Sequence, residues 1–89
     1  MRKIEIEWDE ENVEHIWSHD VEPEEVDEAV KGRYLFQKGR HGTHYVYGRS
    51  DSGRYLFVVL RKKLLGRFRV VTARDMNEAE RKRFSKHVR

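Results

Sequence analysis

The feature that most constrains this fold is a change of hydrophobic pattern at Gly32. Between Trp8 and that glycine, apolar residues recur at the three- and four-residue spacing of amphipathic helices, whereas beyond it they come in short runs rich in aromatic and β-branched residues. The four runs read YLFQ, HYVYGR, RYLFVVLRKK and GRFRVVT. The cluster SDSG between Arg49 and Arg54, together with Gly66, supplies turns between runs. These segments predict an antiparallel meander of four strands.

Three helices and one further strand are predicted outside the meander. The segment KIEIEW alternates apolar and charged residues, which is typical of a strand with one buried face. Two amphipathic helices follow, the first capped by Asp9 and the second with Pro23 in its first turn and Gly32 at its end. Asn77 and Glu80 have the spacing of a capping box, so a third helix begins there. The residues expected on the inner sides of the helices are Val13, Ile16, Trp17, Val26, Ala29, Val30, Ala79 and Phe84.

This order of elements places the chain in the α+β class. We expect one domain over residues 1–89, in the order βαα, ββββ, α, with helices packed against a mostly antiparallel sheet in two layers. A chain of 89 residues has room for one small core. The residues expected to fill it are Ile4, Ile6, Trp8, Val13, Ile16, Val26, Val30, Leu56, Val58, Val70 and Phe84.

Charge is distributed unevenly along the chain. It contains 19 Lys and Arg and 16 Asp and Glu, for a formal net charge of +3. Most of the acidic residues lie in residues 1–30, whereas all but two of the basic residues lie in residues 31–89. We therefore expect the second part to contact nucleic acid or an acidic partner, and the acidic N-terminal helices to bind a basic protein partner.

Composition also excludes several classes of site and location. The chain has no cysteine, so a disulfide framework is excluded. His15 and His19 have the spacing of a zinc pair, but no third ligand is suggested, and we expect neither a metal nor a cofactor. No segment approaches the roughly 18 apolar residues of a membrane span, and the N-terminus does not resemble a secretion signal. We expect a cytoplasmic protein without a membrane partner.

The segment FRVVTARDMNEAERKRF places many charged side chains near one strand-to-helix junction, and four of them are candidates for a functional site. Arg69 lies on the last predicted strand and Arg74 just beyond its end, and Glu80 and Arg81 lie in the first turns of the third helix. Arginine binds phosphate and stabilises negative charge on it, and a carboxylate can transfer protons, so chemistry at a phosphate group is one use of such a cluster. In one interpretation these four residues are catalytic. In the other, the arginines are solvated or pair with the acidic helices, and Glu80 completes the capping box.

A second set of residues is a candidate for contact with nucleic acid. His41 and His44 precede or begin a central strand beside other cations, where they would face a substrate. Lys62 and Lys63 lie at a turn next to two leucines, where they would follow a nucleic-acid backbone. The alternatives are an ordinary hairpin surface for the histidines and, for the lysines, a charged hairpin end that prevents edge-to-edge pairing.

Three segments of the chain resemble the BrnT-like toxin family, in the family's order and spacing. They are IEWDEENVEHIWSHDVEPEEVDEAV, GRSDSGRYLFVV and RVVTARDMNEAERKRF, which together cover much of the sequence. The chain departs from the family pattern at Ser18, Asp20 and His44, the last of which stands where arginine is common. The matching residues of the first segment are Trp8, Asp9, His19, Val21, Glu25 and Ala29.

The resemblance implies a RelE-like fold and a type II toxin that arrests translation by cleaving RNA. It also implies a small antitoxin that neutralises the toxin, and contact with DNA only indirectly, through that antitoxin. The resemblance is also what favours Arg81 as a catalytic residue. We therefore expect a metal-independent endoribonuclease. Its expected catalytic residues are Arg69, Arg74, Glu80 and Arg81, and the residues expected to bind RNA are His41, His44, Lys62 and Lys63.

Two other functions remain open at this stage. One is a catalytically inactive RelE-like interaction module, acting as an antitoxin-binding corepressor or as an RNA-binding protein; His44 in place of arginine favours it. The other is a small basic DNA-binding domain, which is disfavoured because none of the expected helices is basic over a whole face.

Overall fold

A four-stranded antiparallel sheet forms the centre of the structure. The computed structural model describes residues 3–88, so residues 1, 2 and 89 of the expected domain lie outside the described part. The strands lie in the order β1-β2-β3-β4, which confirms the predicted meander and the α+β class. The elements are α1 (Glu10–Trp17), α2 (Pro23–Lys31), β1 (Tyr34–Lys38), β2 (Thr43–Arg49), β3 (Tyr55–Lys62), a 3₁₀ turn (Leu64–Gly66), β4 (Phe68–Asp75) and α3 (Glu78–His87).

Side chains satisfy the free N–H groups at the start of two helices. The Asp9 carboxylate accepts a hydrogen bond from the backbone N–H of Asn12 at 2.9 Å, and the Asn12 side chain accepts one from the Asp9 N–H at 2.9 Å. Asn77 and Glu80 exchange the same pair of bonds at the start of α3, at 2.8 and 2.9 Å. The predicted caps of α1 and α3 are thus confirmed.

The predicted N-terminal strand is reduced to a single parallel bridge beside β4. Ile6 pairs with Phe68, and the flanking backbone bonds run from Glu7 N–H to the Phe68 carbonyl at 2.8 Å and from Phe68 N–H to the Glu5 carbonyl at 2.9 Å. The chain then turns away because Asp9 already caps α1. The prediction of a full strand over KIEIEW is therefore wrong, although the segment does lie against the sheet.

A hydrophobic cluster lies on each face of the sheet. The cluster that contains Leu56 and Val58 packs against α1 and α2, whereas the cluster that contains Phe57 packs against Phe84 of α3. Alternate residues of a strand point to opposite faces, so these clusters are separated by the sheet itself. The expected two layers and single core are wrong. Helices cover both faces, because α3 returns to the face that the first two helices do not occupy.

Burial confirms most of the expected core residues and corrects two helix positions. Trp17 is 57% exposed and Ala79 is exposed. Asn12 faces inward with Ile16 instead of Trp17, because its side chain is held in the cap of α1. Of the other expected core residues, Ile6, Trp8 and Val13 are half-buried, whereas Ile4, Ile16, Val26, Val30, Leu56, Val58, Val70 and Phe84 are buried.

Gly48 permits close packing between β2 and α2. A Cβ atom at this position would lie 2.4 Å from the carbonyl oxygen of Ala29, well inside van der Waals contact. Only glycine therefore allows the helix to pack at this distance.

Arg54 holds three other parts of the chain near the start of β3. Its guanidinium pairs with Asp75 at 2.7 Å, with Glu25 of α2 at 2.9 Å and with the carbonyl oxygen of Asp20 at 2.6 Å. These bonds connect the sheet to the loop between α1 and α2. The hydrogen bond from Arg54 also holds the pKa of the Asp75 carboxyl below its ordinary value.

Candidate nucleic-acid interface

The face of the sheet that packs against α3 is only partly covered by that helix. Its uncovered part contains a row of paired residues, one from each strand, followed by a pair of arginines and bordered by Arg74. All of these residues are half-buried or exposed. We call this surface the open sheet face and define it as Gln37, Tyr45, Val59, Arg61, Arg69, Thr72 and Arg74.

Arg74 and Arg83 border the open sheet face on the side of α3. Arg74 donates two hydrogen bonds to the Glu80 carboxylate, at 2.8 and 3.0 Å, and its guanidinium carbon lies 4.3 Å from the ring centroid of Phe57. Arg83 of α3 donates to the side-chain oxygen of Gln37 and to the Tyr47 hydroxyl, the latter at 3.2 Å. Both guanidiniums are therefore held in place.

Arg61 and Arg69 border the same face on the side of the β3–β4 turn. They are directly opposite each other in the pairing of β3 with β4. Arg69 donates to Asp9 at 3.3 Å and to Glu11 at 3.1 Å, and Arg61 donates to the carbonyl oxygen of His41 at 3.1 Å. The four arginines thus surround a central row that contains Tyr45 and other uncharged side chains.

His15 of α1 reaches the edge of the open sheet face. Its Nε2 atom lies 3.2 Å from the Thr72 hydroxyl oxygen, and the tautomer decides which atom donates. Histidine is the side chain used most often for proton transfer in catalysis, so His15 is a candidate for that role. The sequence indicates His15 only as one of five histidines that could transfer protons and as half of a zinc pair, because nothing local connects it with a strand 57 residues away.

Glu80 is ionised and engaged rather than poised to accept a proton. The hydrogen bonds from Arg74 lower the pKa of its carboxyl, and the backbone N–H of Asn77 lowers it further, although partial burial acts in the opposite direction. A carboxylate with a lowered pKa is a weak general base. Its position indicates that it orients Arg74.

The structure separates the four residues expected to be catalytic. Arg69 and Arg74 share the open sheet face, but they pair with β3 residues that are four positions apart. The two arginines are therefore separated by about 13 Å along the strand direction. Glu80 accompanies Arg74. Arg81 points to the other flank of α3, where its guanidinium carbon lies 4.3 Å from the ring centroid of Tyr55. The strand-to-helix junction is therefore not one compact cluster.

Three of the four residues expected to bind RNA lie at one end of the sheet. The β1–β2 turn, with His41, and the β3–β4 turn, with Lys62 and Lys63, are at the same end, and Arg61 bridges the two. Lys63 pairs with Glu7 at 2.7 Å. This basic end adjoins the open sheet face, so a nucleic-acid strand bound at the basic end would continue onto the open sheet face.

His44 lies near the same end of the sheet but is partly buried, whereas the other three are exposed. It points to the opposite face of the sheet, where its ring stacks on Phe36 at 5.1 Å and meets the edge of Phe68 at 5.8 Å between centroids. Its place is in the packing between β1, β2 and β4.

The sequence alone does not single out three further side chains that lie on or beside this surface. Strand alternation could have indicated Tyr45 and Arg61 once the pairing of the strands was known. Arg83 gave no signal, because "ERKRF" is ordinarily a solvated helix face and its contact with Gln37 spans 46 residues.

Comparison with protein-family models, with curated proteins and with solved structures finds no match for this chain. Within residues 3–88, no group of three or more His, Cys, Asp or Glu side chains is arranged to hold a metal ion. The helices in that range are all too short or too polar to cross a membrane. The geometry of the open sheet face is therefore the basis for a functional proposal.

Proposed function

We propose that the open sheet face binds and cleaves single-stranded RNA, and that the protein is a metal-independent endoribonuclease toxin with a RelE-like fold. One observation carries this proposal: four arginines surround a central row of Tyr45, Val59 and Thr72, and the His15 imidazole lies 3.2 Å from the Thr72 hydroxyl. The resemblance to BrnT-like toxins supports the same activity.

The arrangement supplies the groups that RNA cleavage requires. The ribose 2′-hydroxyl attacks the adjacent phosphorus while a general base accepts its proton, and the bond to the 5′-oxygen breaks as that oxygen takes up a proton from the solvent. The products are a 2′,3′-cyclic phosphate and a 5′-hydroxyl. His15 is our candidate for proton transfer, and the arginines stabilise the extra negative charge on phosphate. Tyr45 provides a ring on which a nucleobase of the RNA can stack.

The two catalytic arginines differ in how they can meet a phosphate. Arg74 is fixed by Glu80 but keeps its Nε–H and one Nη2–H free of the hydrogen bonds described, so it can donate without moving. Arg69 is held by Asp9 and Glu11, and the Glu11 side chain is 87% exposed. A substrate phosphate would displace Glu11 from Arg69 at little cost, because the carboxylate returns to water.

The acidic outer surface of α1 and α2 suits a small antitoxin. It carries exposed Glu10, Glu14 and Glu24, with Trp17 exposed among them. Acidic side chains around an exposed indole fit a basic partner with an apolar anchor. In this proposal the protein acts in the cytoplasm, and DNA is contacted only through the antitoxin.

A second candidate function is the inactive interaction module. The specific observation in its favour is that Arg69 and Arg74 both pair with carboxylates, while Arg81 lies away from them. In that case the open sheet face would bind RNA, or a corepressor partner, without cleaving it.

The test is cleavage of a single-stranded RNA oligonucleotide by the antitoxin-free protein in excess EDTA. We expect cyclic-phosphate products from the parent and no cleavage of the 2′-deoxy analogue. His15→Ala, Arg69→Ala and Arg74→Ala should each slow cleavage about 10²-fold or more. Arg67→Ala is the control, because Arg67 is exposed, lies outside the open sheet face and pairs with Glu7 only at 3.7 Å.

The outcomes separate the two candidates. Cleavage by the Arg69 and Arg74 variants at the parent's rate would exclude the open sheet face as the catalytic site. Tight, salt-sensitive RNA binding by the parent without cleavage would establish the interaction module instead.

A further inference from the structure

A second arginine-rich surface lies on the opposite flank of α3 from the open sheet face. Its centre is Tyr55, the first residue of β3. The guanidinium carbons of Arg49 and Arg81 lie 4.5 and 4.3 Å from the centroid of the Tyr55 ring. Two positive charges are thus held beside one ring by cation–π attraction, although they repel each other.

Neither guanidinium is neutralised by the part of the chain that the structure describes. Arg54, Arg69 and Arg74 each pair with a carboxylate within 3.3 Å, whereas Arg49 and Arg81 have no carboxylate within ion-pair distance in residues 3–88. The one hydrogen bond described for Arg49 is a long one, 3.4 Å, to the carbonyl oxygen of Gly53. The surface therefore has donors without matching acceptors.

Two clefts meet at Tyr55 and Ser85. One has a volume of about 780 Å³ and is lined by Arg81 and Lys86, and the other has a volume of about 350 Å³ and is lined by Arg33 and Arg49. Within residues 3–88, neither the Tyr55 hydroxyl nor the Ser85 hydroxyl takes part in a described hydrogen bond. The carboxylate that borders the larger cleft, Glu78, pairs with Lys82 at 3.4 Å.

These guanidinium and hydroxyl donors fit a phosphate group better than they fit a nucleobase. Guanidinium groups bind phosphate oxygens in bidentate fashion, and hydroxyls can donate to the remaining oxygens. The Tyr55 ring already carries two guanidiniums, and the ring of Phe84 stands perpendicular to it at 5.9 Å between centroids. It is therefore poorly placed to serve as a stacking platform.

The surface continues the row of arginines that begins on the open sheet face. Arg74 lies over Phe57, and Arg81 lies over Tyr55, which is two residues away on the same face of β3. The two rings are therefore about 7 Å apart along the strand. One nucleic-acid strand could thus contact both sites with phosphates that are close together in its sequence.

We infer that Arg49 and Arg81, with the hydroxyls of Tyr55 and Ser85, form a second phosphate site, which binds the backbone of an RNA strand outside the cleavage site. The choice of RNA as the carrier of the phosphate rests on the proposed function. The anion site itself rests only on the contacts around Tyr55.

The test uses the full chain and a 2′-O-methyl decanucleotide, which cannot be cleaved by attack of a 2′-hydroxyl. Its affinity is measured over a range of salt concentrations for the parent, Arg49→Gln, Arg81→Gln and the control Lys82→Gln. Lys82 adjoins Arg81 on α3 but pairs with Glu78. We expect each arginine variant to weaken binding about five- to tenfold and to reduce the salt slope by about one. The control should change affinity less than twofold.

Pyrophosphate is the second probe and distinguishes a strand from a free phosphate. If pyrophosphate binding depends on Arg81 while the decanucleotide binds all variants equally, the RNA assignment is overturned. If neither probe distinguishes Arg49→Gln and Arg81→Gln from Lys82→Gln, the phosphate site itself is overturned. Because the probe cannot be cleaved, neither result depends on whether the protein is a nuclease.

Discussion

The carboxylate of Glu80 holds the guanidinium of Arg74 by two hydrogen bonds, at 2.8 and 3.0 Å, across the junction between β4 and α3. The same carboxylate accepts a bond from the backbone N–H of Asn77 at 2.9 Å. One side chain therefore fixes both the start of the helix and the direction of an arginine on the open sheet face. In our proposal Glu80 acts on RNA only through Arg74, as a positioning residue.

Glu80→Gln should lower the stability of the protein at neutral pH and reduce the further loss of stability as the pH falls. Because the pKa of folded Glu80 lies below its ordinary value of 4.5, the ionised carboxylate stabilises the fold above that pH. This contribution is lost as the pH falls through the lower pKa of the folded state. We expect the substitution to reduce the free energy of unfolding by about 1 kcal/mol at neutral pH and by less in acid.

Urea denaturation at neutral pH and at about pH 3 measures both effects. Some acid sensitivity should remain in the variant, because Arg54 also lowers the pKa of Asp75. Glu78→Gln is the matched control, since Glu78 is in the same turn and its side chain is 85% exposed. A Glu80 variant with the parent's full acid dependence would contradict this account.

Gly48→Ala should destabilise the protein by more than most single-methyl changes. The added methyl would meet the Ala29 carbonyl oxygen at 2.4 Å, and that oxygen belongs to helix backbone, which cannot rotate away. Overpacking of this kind ordinarily costs about 1–3 kcal/mol. Denaturation of Gly32→Ala provides the control, because a Cβ there meets nothing closer than 4.0 Å. Equal stability of the two variants would show that α2 can shift away from β2.

The parts of the fold that sequence predicts are those set by neighbouring residues. Alternation and turn clusters predict the meander, and the caps of α1 and α3 depend on residues three positions apart. Trp17 was misplaced because the spacing of apolar residues does not show that the Asn12 side chain is held inward by a cap. The face on which α3 packs is set by the path of the chain after β4, which no local pattern encodes.

The candidate site likewise contains contacts that the sequence indicates and contacts that only the folded chain creates. Arg74 and Glu80 are six residues apart, so their sequence already indicated a cluster at the junction. Arg69 and Glu11 are 58 residues apart, and this pair depends on α1 reaching the edge of β4. Only strand pairing aligns Arg61 with Arg69 and places Tyr45 in the row between the arginines.

Glu11→Gln should strengthen RNA binding, because Glu11 competes with phosphate for the Arg69 guanidinium. Arg69 donates to Glu11 at 3.1 Å, and its hydrogen bonds to the Asp9 and Glu11 carboxylates raise the pKa of that arginine. Removing one exposed carboxylate partner should tighten binding of a non-cleavable oligonucleotide about two- to fivefold at low salt. The gain should shrink as salt screens the exposed charges. Glu10→Gln makes the same change of charge one residue earlier, where no ion pair is described, and should have a smaller effect. Equal gains in both variants would mean that net charge alone controls binding, and weaker binding by Glu11→Gln would show that the carboxylate orients Arg69 for the phosphate.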